Sequence, residues 1–362
     1  MSNFASDNTT GASPQILAAL TEAMTPEDAG PAMPYGNDPW TERLRARMNE
    51  LFERDCAVFP VATGTAANSL ALTALAPRYG AVYCHREAHI NEDECGAPEF
   101  FTGGAKLVPL EGEHARLTAE TLAAAVTGAG EVHHVQPAAV SITQATEKGA
   151  VYRPEEVAAL SAVAREHGLA LHMDGARFAN ALATLGCSPA EITWKAGVDA
   201  LSFGGTKNGC LAAEAVVFFD SGRAAEFGFY RKRAGHLFSK GRVLSAQLLA
   251  YLEDDLWLAN ARHANAMAGR LAAGLTELGI ELLHPVEANE LFARIPAAGR
   301  EALTARGHVC YHYPDVDAVR LVTAFCTRED EVAAFLADLA EALGKPPGKT
   351  RAQGTAAMRT GR

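Results

Sequence analysis

The chain has 362 residues, 48% of them apolar, and a formal charge of -11 at pH 7, enough apolar material for a large core and a smaller one. The acidic balance speaks against general nucleic-acid binding, and no apolar run is long enough to cross a bilayer. Seven dispersed cysteines without a C-x-x-C pair read as reduced thiols, not a disulfide frame or zinc site, and the first residues lack a secretory leader's basic start and apolar core, so the expectation is a soluble cytoplasmic protein.

In chain order, Ser13-Pro14 opens a helix through Ala23, with serine as cap and proline in the first turn. A Pro/Gly/Asn/Asp-rich loop from Thr25 to Pro39 delivers Tyr35-Gly36, and a helical period runs from Trp40 to Phe52. Strand and helix signals then alternate. Strands are expected at Ala57–Val61, Ala81–Cys84, Lys106–Leu110, Ala138–Thr143, Leu169–Asp174, Ala200–Phe203 and Ala215–Phe219. Helices are expected at Gly64–Leu75, Thr118–Val126 and Pro154–His167. The alternation predicts an α/β fold with a mainly parallel, seven-stranded sheet and ligands at its carboxyl edge. From Gly241 to Leu278 the pattern is long and helical, linking to a smaller α+β unit with strands Glu290–Ile295 and Val319–Ala324 and helix Arg328–Leu343. The organisation expected is an N-terminal segment (1–30) packing at the site, a large domain (31–240), a connecting helix with a small C-terminal domain (241–343) and a disordered tail (344–362).

The most informative stretch is Ala200-Leu-Ser-Phe-Gly-Gly-Thr-Lys207-Asn-Gly209, a strand that stops at two glycines and then offers a hydroxyl and a lysine. A lysine at the carboxyl end of a strand suits Schiff-base chemistry, glycines let a flat cofactor approach the backbone, and Thr206 can donate to a phosphate. Upstream, His172-Met-Asp174-Gly-Ala-Arg177 ends another strand. An aspartate against a pyridinium nitrogen keeps it protonated, so this ordered pair of strand ends is the one expected of a pyridoxal-phosphate enzyme. Thr63-Gly64-Thr65 joins a strand to a helix, where free amides and the positive dipole end suit a phosphate. His89 can stack on a pyridine ring, and His133, beside His134, can hold a water or accept a proton. Asp93 is either a partner of His89 or a solvated acid. Arg177 and Arg320 have the planar fork that suits a carboxylate. Ser6 and Asp7 precede the first helix and can simply cap it. Lys195 is the rival Schiff-base lysine, at a helix end without a glycine pair.

Taken together, Phe4-Ala-Ser-Asp-Asn, Tyr35-Gly36-x-Asp38, Gly64-Thr-Ala-Ala-Asn68, Ala88-His89, Ser141-Ile-Thr-Gln-Ala-Thr-Glu147, His172-Met-Asp-Gly-Ala-Arg177, Phe203-Gly-Gly-Thr-Lys-Asn-Gly209 and Arg320-Leu-Val-Thr run in order from about Phe4 to Leu343. The chain resembles the threonine aldolase/β-eliminating lyase family of fold-type-I pyridoxal-phosphate enzymes, and within it the low-specificity L-threonine aldolases. The resemblance implies retro-aldol cleavage of β-hydroxy-α-amino acids to glycine and an aldehyde; transamination and β-elimination share the scaffold. It implies that Lys207 carries pyridoxal 5'-phosphate, that Asp174 pairs with the ring nitrogen, that Gly64 and Thr65 hold the phosphate and that His89 stacks on the ring. Ser6, Arg177 and Arg320 would orient the substrate carboxylate, with Tyr35 and Asp93 near the substrate. His89 and His133 compete as the base. Arg242 matches a basic residue that reaches a neighbouring subunit's phosphate, since family members are dimers or dimer-paired tetramers with sites built across the interface. No metal is implied. Some relatives carry an aromatic residue in place of Asp93, which leaves the threo/erythro preference open.

Overall fold

A computed structural model describes residues 2–25 and 30–346. Of the expected tail, 344–362, all but Gly344, Lys345 and Pro346 lies outside the described residues. Seven strands, β1 (Ala57–Val61), β2 (Gly80–His85), β3 (Lys106–Leu110), β4 (Gln136–Thr143), β5 (Ala170–Gly175), β6 (Ala200–Gly204) and β7 (Glu214–Phe218), form one sheet in the order β1-β7-β6-β5-β4-β2-β3. Strands β3, β2, β4, β5 and β6 run parallel, and only β7 opposes its neighbours. Both faces are covered, which is why β2 and β5 are buried along their whole length and read as apolar runs rather than alternating ones.

The covering helices start where the sequence signals them. Helix α1 (Pro14–Met24) has proline in its first turn, and α2 (Pro39–Leu51) is capped by Asp38, which accepts from the Thr41 amide at 2.9 Å. Thr63 caps α3 (Gly64–Leu75) in the same way, at 3.2 Å from the Ala66 amide. One face of the sheet buries Leu44, Phe52, Phe178, Phe203 and Trp257. The other buries Leu70, Leu72, Val82, Phe218 and Phe227.

The long helical pattern after Gly241 resolves into two helices, α4 (Arg242–Leu252) and α5 (Leu256–Glu277), not one. Between them Asp254 and Asp255 take positive φ of 49° and 54°, the left-handed conformation that aspartate tolerates better than most residues and that ends a helix. Beyond α5 lies a three-stranded sheet in the order β8-β10-β9, built from β8 (Glu290–Ala293), β9 (Tyr311–Tyr313) and β10 (Ala318–Val322). Strand β9 escapes the sequence reading because it is three residues long and exposed throughout, so it carries no apolar pattern.

The N-terminal segment is stitched to this small sheet. The Phe4 amide donates to the Val309 carbonyl and the Val322 amide to the Phe4 carbonyl, both at 2.8 Å. The Phe4 ring packs edge-on against Phe335 at 5.3 Å, and burying such a ring is worth roughly 2 kcal/mol. That anchor carries Asp7, three residues on, to the carboxyl edge of the large sheet.

Candidate active site

A cavity of about 420 Å³ opens at that edge, lined among others by Gly64, Thr65, His89, Asp174, Arg177, Thr206 and Lys207. A larger groove of about 1020 Å³ runs past Leu70, Tyr79, Phe100 and Tyr230, but no lysine, histidine or carboxylate lines it, so it lacks the amine and carboxylate that the sequence singles out. The smaller cavity has a size that suits a ligand and the reactive groups to act on it.

Asp174 is the penultimate residue of β5, buried, with Oδ1 accepting from the Ala176 amide at 2.9 Å and Oδ2 from Asn68 Nδ2 at 2.7 Å. Beneath it the buried His172 bridges the Ser141 and Ser202 hydroxyls at 2.9 and 3.0 Å, and burial drops its pKa to about 4, so the ring stays neutral. Lys207 lies in the 3-10 turn Thr206–Asn208 directly after β6. The glycine pair before it also has a packing role. A Cβ on Gly204 would meet the Ala176 carbonyl oxygen at 2.5 Å, and one on Gly205 the Ala213 carbonyl oxygen at 2.6 Å. The glycines let neighbouring backbones close on the turn that presents Lys207.

Opposite, Thr63 takes the Ala66 and Ala67 amides, leaving those of Gly64 and Thr65 without a protein acceptor among the described residues. A Cβ at Gly64 would meet nothing within 4 Å. Two free amides at the start of α3, a 12-residue helix facing open space, make a fitting seat for an anion.

His89 opens the one-turn helix His89–Glu92. Its amide donates to Glu147 Oε1 at 2.8 Å, and its Nδ1 lies 2.8 Å from Glu94 Oε1. The hydrogen bond that His89 Nδ1 donates to Glu94 raises the His89 pKa above the ordinary imidazole value, against the effect of burial. Of the two readings of Asp93, the structure favours the solvated acid: its side chain is exposed, and the adjacent Glu94 bonds the His89 ring. The Asp93 amide closes the turn by donating to the His89 carbonyl at 2.9 Å, while its side chain stays exposed and the buried Glu94 carboxylate reaches the ring.

Glu147 lines the cavity with Oε2 buried and unpartnered, and desolvation plus repulsion from Asp174 lifts its pKa to about 7. Glu214, also at the cavity, is lifted to about 7 by burial, offset in part by the Thr206 hydroxyl. Arg177 is held by Asp7 (2.8 and 3.2 Å) and Glu290 (3.0 Å), which keep it charged although burial opposes the charge. Burial pushes Asp7 up, but Arg177 and Lys207 together hold it below the usual carboxylate range.

Several expected residues stand elsewhere. His133 is exposed in the turn before β4, at the amino end of that strand and so on the opposite edge of the sheet from the cavity; it cannot serve its own chain's site. Arg242 donates to the Gly30 carbonyl at 3.1 Å and lies over the Trp40 ring at 5.5 Å, outside the cavity lining. Tyr35 is exposed beside Lys232, whose Nζ is 4.9 Å from its ring. Ser6 caps the short turn Asp7–Thr9, and its neighbours Asp7 and Asn8 reach the site instead. Arg320 borders the site by way of Glu290, 4.0 Å away, while donating to the Ala5 carbonyl. Lys195 pairs with Glu53 at 2.5 Å, away from the cavity. Glu94 and Glu290 went unnoticed because a lone glutamate has no local signature, whereas Asn68 and Glu147 ended stretches that carry the resemblance.

Residues 3–298 match the beta-eliminating lyase family. The chain belongs to that family. It is 45% identical to a low-specificity L-threonine aldolase of Pseudomonas aeruginosa, with 94% of this chain and 98% of that one covered. The solved threonine aldolase of Leishmania major superposes with a TM-score of 0.88 at 28% identity, covering 94% of this chain and 99% of that one. The N-succinyldiaminopimelate aminotransferase of Mycobacterium tuberculosis shares the fold, with a TM-score of 0.69 at 21% identity over 94% of this chain and 96% of that one. For a β-eliminating lyase of this fold the expected cofactor is pyridoxal phosphate. The donor set fits it: an amine for its aldehyde, a buried carboxylate for its ring nitrogen and free helix amides for its phosphate.

Proposed function

We propose that this chain cleaves L-threonine, L-allo-threonine and related β-hydroxy-α-amino acids such as phenylserine to glycine and an aldehyde, using pyridoxal 5'-phosphate. The observation that carries the reading is the convergence of Lys207, Asp174 and His89 on one cavity, in a chain similar to named threonine aldolases along nearly its whole length. Lys207 would hold the cofactor's aldehyde carbon, Asp174 its ring nitrogen, Gly64, Thr65 and Thr206 its phosphate, and the His89 ring its face. Bound there, the cofactor supplies an electron sink for the bond broken at Cα.

The rest falls to the chain's own side chains. Arg177, oriented by Asp7 and Glu290, takes the substrate carboxylate, with Arg320 beside it, and this clamp fixes rotation about Cα so that the Cα–Cβ bond is the one presented. His89 accepts the β-hydroxyl proton, and a general base of this kind contributes roughly 10²–10⁴-fold. Residues 31–240 serve as the cofactor-binding lobe and 241–343 as the smaller one. The protein acts in the cytoplasm as a homodimer or dimer-paired tetramer. Supporting self-association, Phe100, Phe229 and Tyr79 are 78%, 77% and 64% exposed. In such an assembly Tyr35, His133 and Arg242 serve a neighbouring copy's site.

The test is incubation of cofactor-loaded protein with L-threonine, L-allo-threonine, phenylserine and D-threonine. Glycine and aldehyde in equal amounts from the L-substrates is the expected result. Ammonia with a keto acid would instead mark a β-eliminating enzyme, and conversion of the cofactor to its pyridoxamine form an aminotransferase.

A further inference from the structure

We propose that Glu94 is a positioning residue that locks His89 in the tautomer protonated at Nδ1, so that Nε2 faces the cavity as a bare proton acceptor. The inference rests on the reading of His89 as the base, and its geometry begins at Asn68.

Asn68 is buried, and its Nδ2 lies 2.9 Å from Glu94 Oε1 and 2.7 Å from Asp174 Oδ2. An amide nitrogen has two hydrogens, one for each carboxylate; the flipped amide would set its oxygen against two others. Glu94 Oε1 therefore accepts from Asn68. It keeps that role even when the carboxyl carries a proton, because Oε2 is buried without a partner and is the free place for it. The same Oε1 is 2.8 Å from His89 Nδ1. An imidazole is a stronger base than a carboxylate, so the proton in that contact belongs to Nδ1. In a neutral ring the second nitrogen is then unprotonated.

Burial sets the direction in which that nitrogen points. The Glu94 side chain is 0% exposed and the His89 side chain 37%, so the ring turns one edge to the protein interior and the other to the cavity. A second anchor acts on the backbone, where the His89 amide is held by Glu147. The charged groups that face the ring are Glu94, Asp174, Glu147 and Lys207, and of these Asp174 and Glu94 favour the imidazolium while Lys207 opposes it. The arrangement follows the logic of a carboxylate that orients a catalytic histidine through one nitrogen and leaves the other for chemistry. Here the orienting acid is tied in turn, through Asn68, to the aspartate assigned to the cofactor nitrogen.

The experiment reads protonation directly, by long-range proton–nitrogen NMR of cofactor-loaded protein labelled with ¹⁵N-histidine, with His89→Gln to assign the ring. Wild-type His89 is expected as the Nδ1–H form. Glu94→Gln keeps an amide oxygen for Asn68 and for Nδ1–H, so the tautomer stays while the ring titrates at lower pH. Glu94→Ala releases the ring toward Nε2–H, moves the acid limb of the kcat profile to lower pH and lowers kcat roughly 10–100-fold with KM within about twofold. A wild-type ring protonated at Nε2 overturns the proposal, and so does an Ala variant that keeps both the Nδ1–H form and full kcat. If the Ala variant does not fold, the wild-type and Gln spectra decide. The spectra also stand when no variant releases aldehyde, a result that would sink the aldolase reading alone.

Discussion

Asp7 and Arg177, 170 positions apart in sequence, meet in a two-pronged hydrogen-bonded ion pair of 2.8 and 3.2 Å, and Arg177 lines the cavity. The Asp7 side chain is 1% exposed, and Asn289 also donates to it at 3.0 Å. A pair this buried is costly to break from one side, because the remaining charge loses its counter-ion. Asp7→Asn is expected to lower the unfolding free energy by about 3 kcal/mol and to raise KM for the amino-acid substrate about tenfold as Arg177 loses its orientation. Denaturant titration and steady-state kinetics on the same preparation would measure both; unchanged KM would separate the pair from substrate binding.

Lys207→Ala should leave the fold intact and abolish covalent capture of the cofactor. After borohydride treatment and denaturation, wild-type chains keep the cofactor attached and the variant chains release it. Attachment that persists would have to be mapped, and the Glu53-bound Lys195 would be the first peptide to examine.

Glycines on the two sides of the cavity should respond differently to the same methyl. Gly205→Ala drives a Cβ to 2.6 Å from a backbone oxygen, so a loss of about 1–3 kcal/mol in stability is expected. Gly64→Ala places its methyl in open space at the start of α3, so stability should change by less than about 0.5 kcal/mol while cofactor affinity falls. Thermal unfolding of the apo forms and cofactor titration distinguish the two.

Glu147 gives a pH signature. Its folded pKa of about 7 lies above the ordinary value of 4.5, so the folded state holds the proton more tightly than the unfolded state. Its contribution to stability is complete below the unfolded value and is lost as pH rises through the folded one. Between those two values the wild type should lose roughly 1–3 kcal/mol that Glu147→Gln does not lose. Unfolding curves at pH 5 and pH 8 for both proteins would reveal the difference, and parallel curves would mean that Glu147 ionises normally.

Where local chemistry determines structure, the sequence was legible. The Gly-Gly-Thr-Lys turn, the strand-terminal Asp174 and the Thr63-Gly64 helix start each combine a strand period with a stop signal within a few residues, and all of them line the cavity. The seven strands of the large sheet were readable for the same reason, since buried parallel strands are apolar runs bounded by turns. Local patterning also misled in places: it ran α4 and α5 together, because the break lies in the backbone angles of Asp254 and Asp255 and not in the apolar period.

What the sequence determined by itself was the α/β framework, the lysine–aspartate pair and the family they resemble. Only the tertiary structure decided which acids surround that pair. Glu94 rather than Asp93 holds His89, Asp7 and Glu290 hold Arg177, and His133 lies at the wrong end of β4. The reason is that a strand or a cap is settled by neighbours along the chain. The partner of a buried charge is settled by whichever oxygen the packed fold brings within about 3 Å, from any distance in sequence.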